Sequence, residues 1–171
     1  MSIIIDRNFN TLDDWQIIKS SGDVNYKDFE IIEPSWIESN HPQSTESPLE
    51  SSGSVMQIYA WTTGEAGHVF LSQEIEIAVS QTYTFRVTSF AYQKEDFNSS
   101  YGIINGIYIN KNYLIGIGSA AKSGEAWGTL LEGSIYLEAG THTVDLYVQA
   151  PWIHGRGSYT YFDNFRVDSG D

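Results

Sequence analysis

The sequence predicts an all-β fold, a jelly-roll β-sandwich of two antiparallel sheets. Apolar and polar residues alternate with a period of two over most of the chain, which is typical of strands that bury one face. Gly, Asn and Ser punctuate these stretches, and the helical period is nearly absent. A series of about eight to ten short strands without intervening helices indicates a sandwich or a jelly roll.

The individual strands follow from the same pattern. The clearest alternation covers residues 82–93 (TYTFRVTSFAYQ). Residues 101–110 and 112–118 flank a short turn at Asn110 and Lys111, and this arrangement predicts a hairpin. The other predicted strands are residues 55–61, 69–77, 130–137, 141–149 and 158–167.

The length of the chain fits one domain. Residues 35–54 are rich in Ser, Pro and Glu and predict a long surface loop. The residues before this loop are too few to form a separate core, so residues 1–171 are expected to be a single domain. Residues 1–6 lack the length and the basic flank of a signal peptide, and no apolar run is long enough to span a membrane. We therefore expect a piece excised from a larger protein.

Charge and residue usage exclude several classes of function. The chain has 22 acidic and 9 basic residues, and its formal net charge of −13 repels nucleic-acid phosphates and anionic membranes. The sequence contains no cysteine, which excludes disulfides, thiolate metal sites and cysteine nucleophiles. A neutral ligand or a cation fits this composition better.

Motifs for catalysis and nucleotide binding are weak. Gly116 and Gly118 lack the strand, loop and helix that a dinucleotide site requires around its glycines. The four histidines are scattered without metal-ligand spacing. Carboxylates are so numerous that a glycosidase-like pair among them would carry little information. The sequence therefore predicts a binding protein and not an enzyme.

Three segments resemble carbohydrate-binding modules. Residues 3–15 (IIIDRNFNTLDDW) combine an apolar strand, a turn and a Trp. Residues 70–85 (FLSQEIEIAVSQTYTF) join two strands through a short turn, and residues 141–167 end in YFDNFRV. Together they are similar to modules of the xylan- and glucan-binding type, families 4, 9 and 22, among the galactose-binding-like jelly rolls. The resemblance implies non-catalytic binding of a polysaccharide or oligosaccharide by a module of a larger extracellular or cell-surface protein.

The resemblance also implies a structural calcium ion. In these modules the ligands come from the opening turn and from the closing Asp-Asn motif, and the matching positions here are Asn8, Asn10 and Asp163. Asn10 stands where the modules usually have Glu, so the site would carry one negative charge fewer. The alternative is that Asp163 only caps a turn or accepts a hydrogen bond from a backbone amide.

Three strands combine aromatic and polar side chains on the face that points away from the core. Aromatic planes cover the apolar face of a pyranose ring, while Gln, Arg and Asp bind its hydroxyls. The resemblance places such a site on the concave sheet, with a contribution from the second-last strand. The predicted ligand-binding residues are Tyr59, Trp61, Arg86, Phe90, Tyr92, Trp127, Tyr147 and Gln149. The expected ligand is a neutral sugar, and Trp127 is placed in a Gly-rich loop at the rim of the site.

Two other interpretations remain open at this point. Another segment, such as the loop at residues 35–54, would cover the aromatic side chains if they are structural. The same face would also suit an adhesion or assembly domain of a cell-surface or phage tail protein that binds a protein partner. A glycan screen separates carbohydrate binding from protein binding, and turnover of polysaccharides would indicate an enzyme.

Overall fold

The backbone forms two antiparallel β-sheets. A computed structural model describes residues 3–7, 15–19, 24–32, 55–62, 67–93, 103–119 and 126–170, and no helix occurs within these ranges. None of these residues therefore belongs to a helix able to cross a membrane. In chain order the strands are β1 Ile3–Arg7, β2 Gln16–Lys19, β3 Val24–Ile32, β4 Val55–Thr62, β5 Gly67–Ile77, β6 Gln81–Gln93, β7 Ile103–Ile109, β8 Asn112–Ser119, β9 Ala126–Leu137, β10 Gly140–Ala150 and β11 Gly157–Ser169.

The strands divide into a larger sheet, sheet A, and a smaller one, sheet B. Sheet A has six strands in the order β3-β4-β11-β6-β9, with β1 also paired to β11. Sheet B has five strands in the order β2-β5-β10-β7-β8. Every described pairing is antiparallel, and the chain crosses repeatedly from one sheet to the other. This is the jelly-roll sandwich that the sequence predicts.

The eight strands predicted from alternation are confirmed, but the alternation does not reveal β2 and β3. β2 has only four residues, too few to establish a period. β3 shifts its register against β4 between Lys27 and Glu30, and such an irregularity interrupts the alternation of faces. The predicted Gly-rich loop around Trp127 is wrong, because β9 begins at Ala126 and pairs Trp127 with Ala91. An edge strand tolerates glycine, which explains why the glycines there do not end the strand.

The core lies between the two sheets and is formed by alternate positions of the strands. Val144, Leu146 and Val148 of β10 are buried, as the alternation predicts. The predicted core face of β6 is also confirmed at Tyr83, Phe85, Val87 and Ser89. The opposite positions of each strand therefore point outward, away from the partner sheet.

The turn between β7 and β8 is a tight two-residue connection. Asn110 and Lys111 both have positive φ angles, 51° and 66°, which is the conformation of a type I′ hairpin turn. The Oδ1 atom of Asn110 accepts a hydrogen bond of 3.0 Å from the backbone amide of Thr143. The turn is thus attached to β10 and fixes the register of the two strands that carry part of the candidate site.

Candidate functional site

The outward face of sheet B carries a cluster of aromatic side chains. The register places Phe70 of β5 opposite Tyr147 of β10, and Tyr147 opposite Gly106 of β7. Because Leu71 and Leu146 point into the core, Phe70 and Tyr147 point outward. We call the following six residues the aromatic face: His68, Phe70, Tyr108, Tyr113, Tyr147 and Gln149.

Tyr147 lies at the centre of the aromatic face and is its most buried residue. Its ring centroid lies 5.3 Å from that of Phe70, 5.1 Å from that of Tyr108 and 5.0 Å from that of His68. Tyr147 is only 6% exposed, whereas Phe70, Tyr108 and His68 are each partly exposed. The surrounding rings, and not Tyr147 itself, therefore offer most of the surface that a ligand can reach.

Two glycines leave the backbone of β7 and β8 uncovered on this face. Gly106 is paired with both Tyr147 and Gly116, so two neighbouring strands present bare backbone at this level. A Cβ atom on Gly116 would lie 3.1 Å from Cε2 of Tyr113 and 2.7 Å from the carbonyl oxygen of Asn105. Glycine thus lets the Tyr113 ring lie against the backbone, and that residue is 62% exposed.

The polar groups of the aromatic face are uncharged near neutral pH. His68 Nδ1 forms a hydrogen bond with the hydroxyl of Tyr147, which donates to Oε1 of Gln149 at 3.3 Å. Burial lowers the pKa of His68, so the imidazole is neutral. Burial also raises the pKa of Tyr147 and, with a smaller contribution from Tyr113, that of Tyr108, so both hydroxyls remain protonated. The arrangement suits a neutral ligand with hydroxyl groups.

A polar groove adjoins the aromatic face. Its volume is about 500 Å³, within the range of small-ligand sites. Ser72 lies one row of the sheet away from Phe70, and directly opposite Ser72 on β10 is Asp145. The residues lining this groove, which we call the polar groove, are Gln16, Ile18, Ser72, Gln73, Glu74, Lys111 and Thr143.

The predicted site residues do not converge on one face. Tyr147 and Gln149 lie on the outward face of sheet B, as members of the aromatic face. The others belong to sheet A, on the opposite side of the sandwich, because their strands are β4, β6 and β9. Those predicted residues are Tyr59, Trp61, Arg86, Phe90, Tyr92 and Trp127. Alternation shows which face of a strand points outward, but it does not show to which sheet the strand belongs.

Aromatic residues also line the outward face of sheet A, but the centre of that face is closed. The rings of Tyr59 and Tyr159 lie 4.6 Å apart, and Tyr159 stacks on Tyr161 at 6.3 Å. Tyr161 has no exposed surface and Gln57 is only 6% exposed, although both are on the outward side. For Trp61, Phe90, Tyr92 and Trp127 the structure describes only the backbone. Tyr59 and Tyr159 remain partly exposed, so the described part of this face is closed only around Tyr161 and Gln57.

Arg86 is engaged by protein carboxylates. Its Nε atom is 2.5 Å from Oε2 of Glu132, and its guanidinium also pairs with Asp168, which is fully buried. Arg166 donates to the other oxygen of Asp168 at 2.7 Å. Arg86 therefore ties β6 to β9 and β11, and its predicted role in binding a ligand has no support in this geometry.

Of the three predicted calcium ligands, Asp163 lies among the described residues. This residue is 3% exposed, and its Oδ1 atom accepts a hydrogen bond of 2.8 Å from the amide of Asn164. Asn8 and Asn10 lie outside the described residues. In the described part of the chain, no group of three or more His, Asp or Glu residues could hold a metal ion. The calcium ion stays a prediction.

The fold is that of carbohydrate-binding modules. A carbohydrate-binding module studied for specific mannan recognition, TmCBM27, matches with a TM-score of 0.56 and 11% identity over 99% of this chain and 98% of that chain. A xylanase of Clostridium thermocellum, in which a CBM22-1 module is joined to a GH10 module and complexed with xylohexaose, matches with a TM-score of 0.51 and 8% identity. That match covers 98% of this chain and 28% of the xylanase chain. No family profile and no curated protein matches the sequence. The expected resemblance is confirmed for the fold.

Proposed function

We propose that this protein binds a neutral polysaccharide or oligosaccharide, without catalysis, through the aromatic face of sheet B. One observation carries the proposal. The ring centroids of Phe70, Tyr108 and Tyr147 lie within 6 Å of one another on an outward sheet face. In a protein without a ligand partner, this apolar surface would face water. Its pairing with neutral hydrogen-bonding groups is what a sugar requires.

The two kinds of group on this face have different tasks. A pyranose ring has an apolar face of C–H groups, which gains free energy by covering an aromatic ring. Its equatorial hydroxyls remain in the plane of the ring and need hydrogen-bond partners at the edge. Tyr113 and Phe70 supply the accessible rings, whereas His68 and Gln149 are placed for hydroxyls. The buried Tyr147 holds these groups in position.

The structural neighbours support a carbohydrate as the ligand and a larger protein as the context of this domain. One neighbour is described for mannan recognition, and the other is complexed with xylohexaose and is part of a chain that also contains a catalytic module. By analogy, we propose that this domain is a module of a larger extracellular or cell-surface protein that acts on polysaccharides.

A glycan screen with matched variants tests the proposal. We expect the native protein to be retained by one or more immobilised neutral polysaccharides, such as mannan, xylan or galactan. Tyr108→Ala should abolish retention, whereas Tyr59→Ala, the same substitution on sheet A, should keep it. Retention of no glycan in the screen, together with a stable trimer in light scattering, would contradict the proposal and favour an assembly domain.

We also propose a structural calcium ion bound by Asn8, Asn10 and Asp163. Two observations support it: Asp163 is a buried carboxylate, and β1 ends at Arg7, which pairs with Phe165, two residues along the chain from Asp163. Calcium prefers oxygen ligands of these kinds, and an ion that binds only the native state raises its stability. Chelation of protein verified to contain calcium should lower the Tm, and Asp163→Ala should remove that response. An unchanged Tm after chelation would contradict the site.

A further inference from the structure

Asp145 is an acidic side chain in an unusual position on sheet B. It points outward from β10, because Val144 and Leu146 on either side of it point into the core. The register places Ser72 opposite Asp145 on one side and Tyr108 opposite it on the other. Asp145 is only 6% exposed, and no described residue forms a hydrogen bond or an ion pair with its carboxylate. Its two oxygens therefore keep their capacity to accept hydrogen bonds from a ligand.

Asp145 lies between one residue of the polar groove and one residue of the aromatic face, although it does not itself line the groove. Directly opposite residues on paired antiparallel strands have Cβ atoms about 5 Å apart, so the side chains of Asp145 and Tyr108 leave the sheet next to each other. On its other side Ser72 lines the polar groove. A sugar ring that covers Tyr108 or Phe70 would therefore bring the hydroxyls on its edge to Asp145.

We propose that Asp145 determines which glycans this face accepts: its carboxylate receives hydrogen bonds from two hydroxyls of a neutral hexose stacked on the neighbouring rings, and it rejects uronic acids. This inference rests on the proposed function and adds a residue and a selection rule to it. An ionised carboxylate has two oxygens and only accepts hydrogen bonds, so adjacent hydroxyls of one sugar satisfy it. A uronate would place a second carboxylate next to it, and like charges in contact repel.

The net charge of the whole protein is the main competing explanation for rejection of uronates. A charge of −13 also repels anionic chains, but this effect acts over a distance and is screened by salt. At an ionic strength of about 1 M the Debye length is about 3 Å, so only contact between charges still discriminates. Selection by Asp145 should therefore persist at high salt, whereas selection by net charge should not.

Glu76 provides a matched control for the loss of one negative charge in Asp145→Asn. It lies on the same face of the same sheet, is exposed, and accepts a hydrogen bond from the hydroxyl of Thr141. It lies opposite Thr141, two outward positions further along β5 than Ser72, and therefore further from the aromatic face than Asp145. Glu76→Gln changes the net charge by the same amount as Asp145→Asn, so any difference between the two variants reports the position of Asp145.

The experiment measures the affinity of native protein and both variants for cellohexaose, mannohexaose and β-1,4-galactohexaose, each compared with the same chain oxidised to a carboxylate at C6. Calorimetric titrations are made at about 0.1 M and about 1 M salt. We expect the native protein to bind at least one neutral chain and to reject its oxidised form at both salt concentrations. Asp145→Asn should weaken binding of the neutral chain about tenfold and reduce the preference for it over the oxidised chain, because the charge-assisted hydrogen bonds are lost.

Other results would overturn the inference. One is Asp145→Asn binding the neutral chain like native protein, and another is a preference that falls equally in Glu76→Gln. If native protein lost its preference for the neutral over the oxidised chain at high salt, the net charge of the protein would explain the rejection of uronates. Should Asp145→Asn not fold, Asp145→Ser takes its place. If no neutral hexaose binds to native protein, the inference is wrong, and the polysaccharide screen then decides separately whether carbohydrate binding itself stands.

Discussion

The two outward faces of the sandwich have similar compositions and differ in the surface that surrounds their buried tyrosine. Each carries a row of aromatic side chains across neighbouring strands, with Phe70, Tyr147 and Tyr108 on sheet B and Tyr59 and Tyr159 on sheet A. On sheet B most of these rings are partly exposed and adjoin a groove of about 500 Å³. On sheet A, Tyr59 and Tyr159 are also partly exposed, but the row ends in Tyr161, which has no exposed surface.

This difference shows that an aromatic outward face does not by itself indicate a ligand site. A buried ring contributes to the free energy of folding, whereas a partly exposed ring keeps surface that a ligand can cover. Substitutions on sheet A should therefore change stability, and substitutions on the aromatic face should change affinity. Three substitutions test that separation, beginning with the largest expected effect, and a fourth tests the environment of His68.

The largest expected effect is the loss of stability in Tyr161→Ala. Tyr161 is fully buried, and removing a buried aromatic ring typically costs about 3–5 kcal/mol through lost burial and a residual cavity. Urea unfolding followed by fluorescence would measure the free energy of unfolding. Tyr161→Phe, which keeps the ring, should retain most of the stability. A loss below about 1 kcal/mol in Tyr161→Ala would mean that this side of sheet A is open in solution.

The ion pairs of Asp168 on sheet A should also affect the stability of the protein and not its affinity for a glycan. Asp168 is buried and pairs with Arg86 and Arg166, so Asp168→Asn should cost about 2–3 kcal/mol, less than for a pair that is fully buried because both arginines are partly exposed. The affinity of the folded fraction for a glycan should not change. Denaturant unfolding and calorimetric titration together check both statements. A lower affinity with native stability would place this cluster in the ligand site.

On sheet B, Tyr113→Ala should lower affinity and leave stability nearly unchanged. Tyr113 is 62% exposed, so the folded state loses little burial when its ring is removed. Loss of an aromatic anchor in an interface typically costs about 2 kcal/mol, or about 30-fold in Kd. Tyr136, which is 59% exposed on the edge strand of sheet A, gives a matched control, because Tyr136→Ala should have no effect on affinity. Equal affinities of the two variants would contradict the assignment of the site.

The smallest expected effect is a pH dependence of stability that originates at His68. Burial lowers the pKa of His68 in the folded protein, so the unfolded chain takes up the proton first as the pH falls. Its contribution to stability is complete above the ordinary histidine pKa of about 6.5 and decreases as the pH falls from there through the lowered pKa. His68→Gln should therefore lose less stability than native protein between about pH 7 and pH 5.5. Identical slopes in the two proteins would contradict this role.

The sequence predicts the fold better than the site, and the reason is physical. Alternation over residues 82–93 and 141–149 depends only on local geometry, so strands and their core faces could be identified. Assignment of a strand to a sheet depends on long-range pairing, and Tyr59 and Tyr147 consequently fall on opposite sides of the molecule. A site made from distant strands requires this long-range information, which alternation does not contain.

Some residues of the aromatic face had a local signal that the prediction did not use. His68 and Phe70 alternate with the buried Val69 and Leu71, so their outward direction follows from the sequence. The local signal is weaker at Tyr108 and Tyr113, because the register of β7 against β8 shifts between Ile107 and Tyr108. Such a shift changes which side chains are neighbours, and only the paired strands reveal it.

The most direct test of the carbohydrate site is a titration of ¹⁵N-labelled protein with a neutral oligosaccharide that the glycan screen retains, followed by amide chemical shifts. Backbone amides report contact with a ligand without any substitution. We predict that the largest shifts occur in β5, β7, β8 and β10, around Phe70, Tyr108 and Asp145. Shifts concentrated in β4, β6 and β11 of sheet A, with sheet B unchanged, would contradict a site on the aromatic face.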